Sequence, residues 1–142
     1  MILGTNLLGA TSVRFNGMAA GFTIVSSTEI SVTVPAGATS GKVQVTTPGG
    51  TFSSNVKFGV APVIASFSAA SGPKGASVVI TGSSFTGATK VYFGNWAAAG
   101  FTVNSDTQIT ATVPNVPPQN GNIVVTTPGG IATSAGIFTI TP

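Results

Sequence analysis

The hexapeptide Val-Thr-Thr-Pro-Gly-Gly occurs twice in this chain, at 45–50 and again at 125–130. A β-branched run that stops at Pro-Gly-Gly reads as a strand delivered into a tight turn, because proline fixes φ and glycine adopts positive φ without steric cost. The chain around each corner is duplicated as well. Gly4 falls on Gly82, Phe15 on Phe93, Phe22 on Phe101, Ile30 on Ile109, Pro35 on Pro114, Pro48 on Pro128 and Phe58 on Phe138. The offset grows from 78 between Gly4 and Gly82 to 80 between Phe58 and Phe138, so the insertions are small and fall between strands. A duplicated chain of 142 residues makes two small units, 1–61 and 62–142, meeting at the short, stiff junction Ala61-Pro62.

Alternation predicts strands throughout. Val13 and Phe15 share one face with Arg14 on the other; Phe22 with Ile24, then Ile30, Val32 and Val34 before Pro35, repeat the pattern. Val43 and Val45 lead into the first Pro-Gly-Gly corner, and Val56, Phe58 and Val60 form a closing strand. In the second repeat, Val63 to Phe67 is an opening strand, Gly72 to Gly75 a turn, and Val78 with Ile80 the next inward pair. With 19 Gly, 9 Pro and abundant Thr and Val, the composition is that of an all-β chain.

The repeats differ in length. The first begins where residue 80 would stand, so it lacks the opening strand and much of the next. Removing an edge strand from a sandwich leaves unpaired backbone and an apolar groove. Preceding sequence of a longer repeat array is the favoured occupant, another chain the alternative.

Chemistry is constrained by what the chain lacks. With no Cys and no His, thiolate zinc sites, disulfides and imidazole-based nucleophile activation are excluded. The two acids, Glu29 and Asp106, lie in different repeats, where paired carboxylate catalysis needs both in one site, and no acidic loop offers calcium its oxygen ligands. No catalytic residue, metal or cofactor is therefore expected. Arg14, Lys42, Lys57, Lys74 and Lys90 are spread singly, so the net charge of +3 does not form the clustered basic face that nucleic-acid binding requires. No run of about 18 apolar residues suggests a membrane span. Only 5% of residues are charged, and few gatekeeping charges guard the strand edges, a surface suited to packing against neighbouring repeats or copies of itself.

Charged positions are not shared between the repeats: Arg14 lies opposite Tyr92, Glu29 opposite Gln108 and Lys57 opposite Ile137. What was duplicated is a fold. Two aromatic residues are the candidate ligand surface. Trp96, the only Trp, follows Gly94-Asn95 in a predicted loop, and Tyr92 stands at an outward position of the preceding strand. Such a pair can stack on a sugar ring; the plainer role for Trp96 is packing at one end of the sandwich or at the junction.

The segments Val63-Ile64-Ala65-Ser66-Phe67, Gly72-Pro73-Lys74-Gly75, Thr81-Gly82-Ser83-Ser84-Phe85, Val91-Tyr92-Phe93-Gly94 and Ala111-Thr112-Val113-Pro114 resemble the IPT/TIG family of immunoglobulin-like domains. The pattern returns in Gly4-Thr5-Asn6-Leu7, Val13-Arg14-Phe15-Asn16-Gly17 and Ser31-Val32-Thr33-Val34-Pro35. The resemblance implies two tandem immunoglobulin-like β-sandwiches, the first lacking its opening strand. It says little about function, since the family serves surface arrays, receptors, transcription factors and accessory modules of carbohydrate-active enzymes. The expectation is a non-catalytic structural or adhesive module of an extracellular or cell-surface protein, self-assembling into a fibre. The alternative is a carbohydrate-binding accessory module with a glycan partner; a DNA-binding role comes last.

Overall fold

The computed structural model describes all 142 residues, and they form strands, turns and no helix. The chain divides into two compact units, Met1–Gly59 and Val60–Pro142, so the division falls two residues ahead of the Ala61-Pro62 junction. Each unit is two sheets around its own apolar interior, the expected all-β sandwich.

In unit 1, β1 (Ile2–Leu3), β5 (Glu29–Val32) and β4 (Phe22–Ser26) form one sheet in the order β1-β5-β4. The other sheet has the order β3-β2-β6-β7, from β3 (Met18–Ala20), β2 (Ser12–Phe15), β6 (Gly41–Thr47) and β7 (Gly50–Phe58). Unit 2 repeats both sheets with additions. Its first sheet is β13-β14-β10-β8, built from β13 (Gly100–Ser105), β14 (Gln108–Thr112), β10 (Ser77–Ser83) and β8 (Val63–Phe67). Its second is β12-β11-β15-β16-β9, from β12 (Trp96–Ala97), β11 (Lys90–Phe93), β15 (Gln119–Thr127), β16 (Gly130–Thr141) and β9 (Ser71–Pro73). All pairings are antiparallel except β16 with β9, which run parallel. Strands β8 and β9 have no counterpart in unit 1.

The duplicated corner works the same way in both units. Thr47 pairs with Gly50 across Pro48-Gly49, and Thr127 with Gly130 across Pro128-Gly129. The Thr hydroxyl before each proline accepts a hydrogen bond from the amide of the first glycine, Gly49 or Gly129, at 3.2 Å. Only the second glycine uses positive φ, 128° at Gly50 and 145° at Gly130, which restarts a strand straight out of the turn. A register shift follows in each ladder, between Lys42 and Gln44 in β6 and between Asn122 and Val124 in β15. A serine closes each irregularity. Ser54 Oγ accepts from the Val43 amide at 3.1 Å and donates to the Val56 carbonyl at 2.6 Å; Ser134 Oγ accepts from Ile123 at 2.9 Å and donates to Gly136 at 2.7 Å.

The interiors differ. In unit 2, Val78 and Ile80 of β10, Ile109 of β14, Ile123 and Val125 of β15, and Phe85 are fully buried, with Ile64 and Phe67 of β8 packed against them. Phe138 takes Phe93 edge-on at 5.0 Å and Phe67 at 6.3 Å. In unit 1 the matching Phe58 meets Phe15 at 5.0 Å and stays half-buried. Of the predicted closing strand, Val56 and Phe58 lie in β7 and Val60 beyond its end, and the face of β7 is uncovered: Phe52 is 59% and Val56 78% exposed.

Candidate functional site

Two surface features stand out, one in each unit. The unit 1 feature is the uncovered face of β7; the other is a polar cleft on unit 2, where a two-residue hairpin turn reads Gly-Asn in place of Asn-Gly.

In unit 1, β2 and β3 are joined by Asn16-Gly17, both at positive φ, 46° and 88°. Asn tolerates this region better than other side chains, and an Asn-Gly pair is a favoured two-residue hairpin turn. The Asn16 side chain folds over Gly41 of β6 and donates from Nδ2 to Thr39 Oγ1 at 2.8 Å. In unit 2 the corresponding turn is Gly94-Asn95, and only Gly94 has positive φ, 60°. The backbone bond is kept, Gly94 N–H to the Asn122 carbonyl at 2.8 Å, as Asn16 N–H bonds Lys42. The side chain is gone, and Gly94 lies directly against Gly121, the partner of Gly41.

What Asn16 fills in unit 1 is a cleft of about 320 Å³ in unit 2, lined by Gly94, Asn95, Gln119, Asn120, Asn122 and Thr133 among others. Four of these six carry side-chain amides. Asn122 is held in place: its Nδ2 donates to the Ser134 carbonyl at 2.8 Å and to Gly136 at 3.3 Å. Gln119 stands where Thr39 receives the Asn16 bond, and its Nε2 is buried with no hydrogen-bond partner. A buried donor left unpaired costs about 1–3 kcal/mol.

The two predicted aromatics are not brought into one platform. Trp96 lies in β12, the short edge strand of the hairpin, rather than in a loop; it is 48% exposed. Trp96 pairs with the inward-facing Phe93, whereas Tyr92 pairs with Ala97 and, on its other side, with Val124. Cross-strand partners share a face, so Tyr92 stands with Val124 and Thr133 on the cleft side and Trp96 has the opposite parity. Of the two acids, Asp106 is more than a solvated turn residue. Its carboxylate accepts from Ser84 N–H at 3.1 Å, Thr86 N–H at 3.2 Å and Thr86 Oγ1 at 2.6 Å. No group of three or more His, Cys, Asp or Glu side chains is close enough to hold a metal ion.

Sequence reasoning missed the cleft because its makers are glycine and amides, residues read as turn formers. The signal was the contrast between the repeats: Asn16 against Gly94, and Thr39-Ser40-Gly41-Lys42 against Gln119-Asn120-Gly121-Asn122.

Among solved structures, the chain is similar to surface glycan-binding protein PbSGBP-B from Prevotella bryantii, at 24% identity with a TM-score of 0.64, covering 96% of this chain and 35% of that one. It is also similar to SGBP-B from a complex xyloglucan utilization locus in Bacteroides uniformis, at 19% identity with a TM-score of 0.51, covering 96% and 43%. A third likeness, to a structure with xylogluco-oligosaccharide, has 24% identity, a TM-score of 0.53 and coverage of 96% and 35%. The chain thus spans less than half the length of these structures, and at such identities the likeness is one of fold. No curated protein sequence matches it. The family model for the IPT/TIG domain matches residues 1–60 and again 62–140, and the chain accordingly belongs to the IPT/TIG family, with two domains in tandem.

Proposed function

We propose that this chain is a non-catalytic module of a cell-surface glycan-capturing protein, and that the amide cleft of unit 2 contacts the sugar. One observation carries the reading: the place that Asn16 fills in unit 1 is open in unit 2 and lined with amides, one of them a buried donor without a partner. Amides suit a neutral polyol, since each offers both a donor and an acceptor to hydroxyl groups. Tyr92 supplies an aromatic surface on the cleft side, whereas Trp96 stands on the opposite face of the hairpin. The fold likeness to surface glycan-binding proteins, and to a structure with xylogluco-oligosaccharide, supports the carbohydrate reading over the fibre.

The test is calorimetric titration with xyloglucan oligosaccharides and other soluble β-glucan fragments. Binding that weakens by about tenfold or more, about 1.4 kcal/mol, when Gly94-Asn95 is exchanged for Asn-Gly is the expected result. Absence of binding to every oligosaccharide, or binding indifferent to that exchange, overturns the assignment.

A further inference from the structure

Spread singly along the sequence, three of the chain's five cations come together on one sheet face of unit 1. Arg14 of β2 stands between the buried Val13 and Phe15, so its side chain leaves the sheet on the outer face. Gln44 of β6 is its register partner. Lys42, two residues back along β6, shares that face and lies diagonally across from Arg14, at about 7–8 Å. Lys57 of β7 is paired directly with Lys42, at about 5 Å. All three cations are exposed. Neither acid of the chain balances them: Glu29 lies in β5 of the other sheet, and the Asp106 carboxylate is bound within unit 2 by Ser84 and Thr86.

The fold does not need this arrangement. In unit 2 the same three positions are Tyr92, Asn122 and Ile137, with Asn122 opposite Ile137 as Lys42 is opposite Lys57. Like charges set directly across a ladder destabilise a sheet. Lys57 guards the free edge of β7 against pairing with other strands, but Lys42 is on the inner strand β6 and has no edge to guard. We infer that the outer face of the β3-β2-β6-β7 sheet is an anion-binding platform whose ligand is a carboxylate-bearing polysaccharide, a chain of uronic-acid sugars.

Three observations select this ligand among anions. First, Arg14 Nη1 donates to the Gly17 carbonyl at 2.9 Å, which ties the guanidinium to the β2–β3 turn and leaves further N–H donors for the two oxygens of a carboxylate. Second, the positions between and beside the cations carry an amide and hydroxyls, which suit sugar hydroxyl groups: Gln44 opposite Ser53, and Thr46 opposite Thr51. Third, the one apolar side chain that the register brings to this face is Ala19, opposite Arg14, so the face has no apolar group to insert into a lipid surface. Three cations also fall short of the number of phosphate contacts that hold a nucleic acid.

The experiment is calorimetric titration of the full chain with oligogalacturonate at low and at physiological salt. Saturable binding that weakens as salt rises is expected, because the cations are exposed and screened. Giving unit 1 the residues of unit 2, with Arg14→Tyr, Lys42→Asn and Lys57→Ile together, should weaken binding by about tenfold or more. Lys42→Asn alone should weaken it by roughly threefold, and it raises the thermal midpoint by relieving the pair with Lys57, so the inference stays testable even if the triple variant folds poorly. Removing the two cations outside the face, with Lys74→Ala and Lys90→Ala, should change binding by less than about twofold. The exchange of Gly94-Asn95 for Asn-Gly, aimed at the amide cleft, should leave this titration as it is, so the two sites stand or fall separately. No saturable binding overturns the inference. Equal losses in the two sets of lysine variants overturn it too, since net charge alone would then matter, as does equally tight binding of a DNA duplex or of anionic phospholipid vesicles.

Discussion

Units 1 and 2 share backbone hydrogen bonds almost bond for bond, yet only one of them has a closed core. Gly4 N–H bonds Thr28 and Leu7 N–H bonds Ser27 in unit 1; Gly82 bonds Thr107 and Phe85 bonds Asp106 in unit 2. The turns, the irregular ladder and the serine that closes it are duplicated too. Burial is not. The comparison separates what local sequence determines, namely turns, registers and alternation, from what a neighbouring strand must supply, which is cover for the apolar face.

The largest expected contrast lies in the paired phenylalanines. Phe138 is 1% exposed between two rings, so Phe138→Ala should cost about 3–5 kcal/mol. Phe58→Ala removes a half-buried ring with a single aromatic neighbour and should cost roughly half as much by the same scale. Denaturant unfolding followed by Trp96 fluorescence for unit 2, and by hydrogen exchange for unit 1, measures both. Equal losses would break the comparison, because they would mean that the groove face of Phe58 contributes as much as a covered one.

Next in size is the glycine pair. Gly82→Val should destabilise unit 2 by about 2–3 kcal/mol, since the added carbons meet backbone that cannot move without losing β8. Gly4→Val should fall within about 0.5–1 kcal/mol, because a flexible leucine end is all it displaces. Thermal unfolding of the two variants gives the difference directly.

Much of this fold was legible because its determinants are local. The Pro-Gly-Gly corners, the alternation of Val13 with Phe15 and of Val91 with Phe93, and the absence of a first-unit counterpart to Val63–Phe67 are all present in the letters, as is the family resemblance. The candidate site was less legible. Tyr92 and Trp96 look like one surface when read as outward strand residue and loop residue; the two-residue turn makes Trp96 the register partner of Phe93 and puts the rings on opposite parities. The cleft depends on a side chain that is missing at Gly94 and on an amide, Gln119, from a strand about 25 residues away, and no periodicity registers such a pairing.

A third contrast concerns a strained backbone. Asn6 and Ser84 occupy matching positions at φ 56° and 58°, a region asparagine adopts more readily than serine. Unit 2 compensates with Asp106, whose carboxylate holds the amides of Ser84 and Thr86; its counterpart in unit 1 is Ser27. Asp106→Ser should therefore cost unit 2 about 1–2 kcal/mol, and Ser84→Asn should restore part of it. A double-mutant cycle by denaturant unfolding checks this, and strict additivity would show that the clamp and the strain are unrelated.

The smallest effect on stability should accompany the sharpest effect on the cleft. Exchanging Gly94-Asn95 for Asn-Gly installs the turn of unit 1 in unit 2, and because Gly121 matches Gly41, the new side chain has the same room above the neighbouring strand. Both turn residues must change, since Asn16 and Gly17 are both at positive φ whereas Asn95 is not. The expected change in stability is within about 0.5 kcal/mol, the range of surface substitutions that keep an unstrained turn. Within unit 2, the side-chain amide introduced by Gly94→Asn would lie over Gly121 toward Gln119, as Asn16 lies toward Thr39, but with the amide turned so that its Oδ1, rather than the Nδ2 that Asn16 offers Thr39, accepts from Gln119 Nε2. Nuclear magnetic resonance would then show the Gln119 side-chain amide shifted and slowed in exchange. The reverse exchange, Asn16-Gly17 to Gly-Asn, should open unit 1 and release Thr39 without creating a sugar site, because Thr39 and Lys42 replace Gln119 and Asn122 there. If the opened unit 1 nevertheless binds the same oligosaccharides, an empty cleft suffices and the amides are incidental; if it does not, the recognition lies in the amide set and not in the gap that glycine leaves.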